Sequence, residues 1–198
     1  MTLDQAGAFL VFALVAAITP GPSNTMIIAT GSAVGVWRGV PCVIGASTGM
    51  ALLLFASALG LGEIVVAQPM MLTALKWGGA AFLLWLAWKI ATAGHAAETS
   101  DAKPIGFLGA AAFQWVNPKG WLVAVSAAAA YLEAAAGDPL AQASEFGALF
   151  FAAAFPSGLV WLCLGAAVQR LLRDRRSARL FNVVMGLALA ASVAMIFR

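Results

Sequence analysis

Gln114-Trp115-Val116-Asn117-Pro118-Lys119-Gly120-Trp121 lies within an apolar segment running from about Ile105 to Leu132. That segment is long enough to cross a hydrocarbon core of about 30 Å as a helix. Yet a lysine at the centre of a membrane helix costs roughly 2.5–3.5 kcal/mol on insertion scales, and an interior proline costs roughly 3 kcal/mol in helix propensity. Two penalties at neighbouring positions predict a backbone opened around a cavity. The first apolar segment carries a counterpart, Thr19-Pro20-Gly21-Pro22-Ser23-Asn24. The pair reads as two halves of one transport site.

Working outward, 63% of the 198 residues are hydrophobic and 10% are charged, with a mean hydropathy of +0.94. A water-soluble domain of this size cannot cover its surface with so few polar groups, so the expected class is an all-α membrane protein. Six apolar blocks, about 5–30, 39–61, 70–93, 105–132, 146–169 and 179–197, predict six transmembrane helices in one polytopic domain spanning 1–198. The first block has Asp4 but no basic residue before Arg38, so it reads as a retained span and not a cleavable signal. The polar stretch Gly94 to Lys103, with His95, Glu98 and Asp101, reads as a solvated connector.

Spans one to three, about 5–93, and four to six, about 105–197, align as repeats, with Pro20 matched to Pro118. Three spans per repeat invert the second copy. Inverted repeats with matching proline-interrupted helices, here the first and the fourth, point to a transporter's binding site.

Loop charges set the orientation. Arg38, Lys89, Lys103, Arg170, Arg173, Arg175, Arg176 and Arg179 fall on one side. Lys76 and Arg198 fall on the other, with Asp4, Glu63, Glu133, Asp138 and Glu145. The positive-inside rule then places both termini outside. The basic run at 170–179 is accounted for by orientation, and a nucleic-acid partner is not expected. Trp37, Trp77 and Trp88, near span ends, read as interfacial anchors.

Each break frees backbone groups. Pro20 and Pro22 free the carbonyls of Ala16 and Ile18, and Pro118 frees that of Gln114. Asn117 reads as an N-cap with Pro118 at the first helical position, and Ser23 or Asn24 as the other cap. Helix N-termini converging on a gap suit a carboxylate. Lys119 reads either as partner to that carboxylate or as a gate residue. Its bland alternative is a long stem reaching an interface or a carbonyl cluster. The candidate substrate-binding set is Thr19, Pro20, Gly21, Pro22, Asn24, Gln114, Asn117, Pro118, Lys119 and Gly120. Thr25, Ser47 and Thr48 are further hydrogen-bonding candidates, though for the last two helix packing is the favoured role. Trp115 and Trp121 flank the central break, as cavity wall or as packing.

The sequence has no phosphate-binding loop and no metal-spaced cluster, so no cofactor, metal or enzymatic chemistry is expected. Cys42 and Cys163 support a different reading, a membrane thiol–disulfide electron carrier. Single buried cysteines are more often small hydrophobes. Pro156-Ser157-Gly158 marks a kink that serves as a hinge or is static. Gly35/Gly39 and Gly45/Gly49 fit either a homodimer contact or packing within one chain.

With Thr19-Pro20-Gly21-Pro22, Asn117-Pro118-Lys119-Gly120, Trp77-Gly78-Gly79-Ala80-Ala81 and Leu86-Ala87-Trp88-Lys89-Ile90-Ala91 in view, the chain resembles the LysE/RhtB family of amino-acid exporters. The likeness covers essentially the whole length, and the third-span run is most similar to members at the cysteine/O-acetylserine end. The resemblance implies a multi-pass protein of the bacterial inner membrane that exports amino acids or close derivatives on the proton-motive force. The lack of a mid-span acid argues for a neutral or zwitterionic substrate.

Overall fold

Thr2 opens the first helix with a capping box: its hydroxyl accepts from the Gln5 amide while the Gln5 side chain accepts from the Thr2 amide. In the computed structural model, which describes residues 1–92, 105–132, 138–171 and 175–194, that helix is α1 (Leu3–Ile18). It is followed by α2 (Pro22–Ala58), α3 (Leu61–Ala67), α4 (Pro69–Ala91), α5 (Phe107–Val116), α6 (Pro118–Tyr131), α7 (Pro139–Leu171) and α8 (Arg175–Val193). All regular structure among the described residues is helical. The connector at 94–103, Glu133, Arg173 and Arg198 lie outside the described residues, as do the side chains of Arg170 and Arg175.

Both predicted breaks are present. The first apolar block is divided between α1 and the start of α2, with Thr19-Pro20-Gly21 between them, and the fourth is divided into α5 and α6 at Asn117. Three helices are individually long and apolar enough to cross a membrane: α2, α4 and residues Pro139–Val168 of α7. The fourth block reaches that length only as the pair α5 and α6, and the first only as α1 with the start of α2. The sixth block begins inside α8, whose first turns carry Arg175, Arg176 and Arg179. Gly35, at φ 77°, divides α2 into a part that continues the first block and a part that forms the second.

Glycines bring the helices together. A Cβ at Gly31 or Gly165 would run into the facing backbone of α7 or α2, and one at Gly45 or Gly49 into that of Phe107 or Ala111 on α5. Close approach of this kind replaces the hydrophobic drive that lipid cannot supply. Gly39 packs against Leu162, so three of the four glycines that suggested a homodimer contact are used inside the chain, and the fourth, Gly35, shapes α2. Within Gly45-Ala46-Ser47-Thr48-Gly49, the two glycines thus serve the close packing of α2 on α5.

Two cores result. One centres on Met26, Val43, Phe113, Leu162 and Leu86, joining α2, α5, α7 and α4. The other centres on Phe9, Leu53, Trp121 and Phe146, joining α1, α2, α6 and α7. Phe9 meets Tyr131 and Phe146 edge-on at 5.5 and 4.8 Å. Trp37, Trp77 and Trp88 are 90%, 65% and 70% exposed.

Candidate substrate cavity

Pro22 and Pro118 each occupy the opening turn of a helix, where a missing N–H leaves nothing unsatisfied. Pro20, by contrast, lies in the link between α1 and α2. Asn117 caps α6 as expected, its side chain accepting from the Lys119 amide at 3.2 Å. The expected cap of α2 by Ser23 or Asn24 is not formed. Gly21 holds the N-cap position without a side-chain bond, because Ser23 and Asn24 already lie within the helix and are engaged elsewhere.

Those engagements tie one break to the other. The Ser23 hydroxyl donates to Gln114 Oε1 at 3.0 Å, and Asn117 Nδ2 donates to Ser23 Oγ at 3.0 Å and to Gln114 Oε1 at 3.3 Å. Gln114 is fully buried and donates to the Ala110 carbonyl. In this way a buried polar cluster is satisfied within itself.

Carbonyls at the end of α1 and in the link after it accept from both sides, that of Ala16 among them. Asn24 Nδ2 donates to Ala17 O and Thr19 O at 3.0 and 2.9 Å. Lys119 Nζ donates to Thr19 O at 2.6 Å, to Ala16 O at 3.3 Å and to Pro20 O at 3.5 Å. An ammonium at a helix C-terminus meets the negative end of the dipole. In this state Lys119 therefore serves the carbonyl cluster, the blander of its two expected roles. Gly21 makes the approach possible: a Cβ there would lie 2.9 Å from Lys119 Cδ.

Between the breaks lies a cavity of about 60 Å³. Of the predicted residues, Gly21, Asn24, Gln114, Asn117, Lys119 and Gly120 line it, together with Ser23. Thr19, Pro20, Pro22 and Pro118 do not; they shape the backbone, and Thr19 contributes its carbonyl to Lys119. Ser47, which the sequence favoured as packing, joins the lining. The apolar wall comes from Met50, Phe150, Ala154 and Gly158, among others. Only Gly158 carried a sequence signal, the Pro156 kink, and α7 runs unbroken through that proline. None of the lining residues is a carboxylate.

Trp121 belongs to the second core, where its indole N–H donates to Trp115 O at 2.8 Å, and neither tryptophan lines the cavity. Cys42 is buried and accepts a long contact from the Thr30 hydroxyl, whereas Cys163 is exposed; both are free. One inward and one outward cysteine do not form the paired thiols that a disulfide carrier needs.

The family model described as LysE type translocator matches residues 14–197. The cysteine/O-acetylserine efflux proteins of Salmonella typhimurium (strain LT2), Escherichia coli (strain K12) and Shigella sonnei are each 30% identical to the chain, over the full length of both sequences. No solved structure matches it.

Proposed function

The chain belongs to the LysE-type translocator family, and from that premise we propose that it exports a small neutral amino acid or derivative through the cavity between its two helix breaks. The observation that carries this reading is the lining itself. It has one cationic group, Lys119, a set of amides and hydroxyls, and no acid to hold a cationic side chain. A zwitterion would offer its carboxylate to Lys119 and its ammonium to the carbonyls that Lys119 now occupies. The relatives' names, with cysteine and O-acetylserine as cargo, fit this class.

In this proposal the two breaks are equivalent parts of inverted repeats, α1–α4 and α5–α8, completing six spans of the inner membrane with both termini outside. Lys119 alternates between the α1 carbonyls and the substrate carboxylate as access changes side. Export of a zwitterion does no work against the membrane potential, whereas a net cation would meet about 2.3 kcal/mol per 100 mV. Proton antiport then supplies the drive.

The test is efflux from cells preloaded with labelled cysteine, O-acetylserine, threonine, leucine and lysine. Faster loss of a neutral member, abolished by Lys119→Ala with Pro20→Ala, is the expected result. Equal retention of the whole panel with and without the protein refutes the reading.

A further inference from the structure

Of the six polar side chains that line the cavity between the breaks, five are already hydrogen-bonded within the chain. Ser23, Gln114 and Asn117 bond one another. Asn24 bonds the carbonyls of Ala17 and Thr19, and Lys119 those of Ala16, Thr19 and Pro20. The sixth is Ser47. It is 3% exposed, it lines the cavity, and its hydroxyl has no hydrogen-bond partner among the described residues.

Helical hydroxyls elsewhere in the chain bond the carbonyl four residues back, as at Thr25, Thr30 and Ser144. Ser57 and Ser157 lack such a bond too, but their hydroxyls are closed in by packing. That of Ser47 is not closed in, and the space in front of it is the cavity.

Helix geometry sets which wall Ser47 belongs to. Gly45 and Gly49 pack on the α5 backbone, and Ser47, two residues from each, is turned about 200° away from them. It shares a face of α2 with Val43, which packs against Gly158 of α7, and with Met50, which packs against Gly120 of α6. Ser47 therefore stands apart from the amides of the α5–α6 break. It puts a hydroxyl on the wall that Met50, Phe150, Ala154 and Gly158 make apolar.

We propose that Ser47 is a specificity-determining residue that reads the side chain of the exported amino acid. This rests on the export function proposed above. With the carboxylate at Lys119 and the ammonium at the α1 carbonyls, the side chain is left to the apolar wall. There Ser47 hydrogen-bonds a polar atom at the γ position, a hydroxyl, thiol or ester oxygen. A hydrocarbon side chain of the same size leaves the Ser47 hydroxyl buried without a partner, and the site selects against it.

The test uses the full chain in proteoliposomes. It compares exchange of labelled L-serine with that of labelled L-2-aminobutyrate, which has a methyl group where serine has its hydroxyl. In Ser47→Ala the ratio of the serine rate to the 2-aminobutyrate rate should fall about fivefold, the scale of one neutral hydrogen bond. The fall should come from slower serine exchange, with 2-aminobutyrate at the parental rate as the control for folding. Ser47→Cys, a weaker hydrogen-bonding partner, should give an intermediate ratio and decides the matter if the alanine variant does not fold. An unchanged ratio, or an equal loss for both amino acids, marks a packing role and overturns the assignment while export stands. A parent that exchanges neither of the two overturns it as well, and one that also fails on the efflux panel refutes the export reading itself.

Discussion

Lys119 Nζ stands 2.6 Å from the carbonyl oxygen of Thr19, so the charge that interrupts one membrane segment completes the hydrogen bonding of the other. The two breaks are not independent defects. The first leaves carbonyls that Lys119 of the second satisfies, side chains of both meet in the Ser23–Gln114–Asn117 cluster, and the cavity lies between them.

Removing that charge tests the coupling directly. Lys119→Met keeps the stem and loses the ammonium, leaving α1 carbonyls unpaired. A hydrogen bond to a charged group contributes about 1.5–3 kcal/mol, so efflux should fall at least about tenfold. The check is the initial efflux rate of labelled O-acetylserine at matched protein levels; parental rates in the variant would contradict the role.

Gly21→Ala acts on the same contact from the other side. Gly21 has φ −177°, an extended conformation open to any residue, so backbone strain is not involved. The added Cβ meets Lys119 Cδ and Nζ at 2.9 and 3.1 Å and forces the side chain away. Efflux should drop, and combining Gly21→Ala with Lys119→Met should add little further loss. A double-mutant cycle measures this, and fully additive losses would show that the glycine acts elsewhere.

Asn117 has separable duties. Asn117→Asp retains the acceptor that caps α6 but loses the Nδ2 donor to Ser23 and Gln114. Asn117→Ala loses both and should cost about 1 kcal/mol more in stability through the missing cap. Thermal unfolding in detergent should rank the parent above Ala; Asp falling to the level of Ala would mean that burying a carboxylate against Gln114 Oε1 cancels the cap it retains.

Gly49→Ala should reduce the amount of folded protein, since its Cβ would lie 2.5 Å from Ala111 O and 2.8 Å from Ala111 Cα. Overpacking of this kind typically costs about 1–3 kcal/mol. Gly7→Ala is the control: nothing lies within 4 Å, and helix propensity favours alanine by about 1 kcal/mol. Fluorescence-detected size exclusion compares the two, with Gly7→Ala at or above the parent.

Cys42→Ala with Cys163→Ala should leave efflux unchanged, because the two thiols face different environments and do not line the cavity. Loss of transport in a variant that still folds to parental levels would reopen thiol chemistry.

How much was legible in advance differs from residue to residue. Pro118 and Asn117 announced a helix start by chemistry that needs no neighbours, and it formed as expected. Ser23 and Asn24 are equally good capping residues, yet Gly21 took the position, since their side chains found partners on the other break and on α1. Met50, Phe150 and Ala154 gave no advance sign, because an apolar side chain reads the same in a sequence whether it faces lipid, core or cavity.

The helical class, the two proline-marked breaks and the presence of a costly charge inside an apolar segment follow from the sequence alone, because proline, glycine and lysine impose their penalties locally. Where that charge goes was decided only by tertiary structure. Lys119 reaches α1 because α6 passes beside it and Gly21 leaves room, a relation between residues about half the chain apart that no local preference encodes.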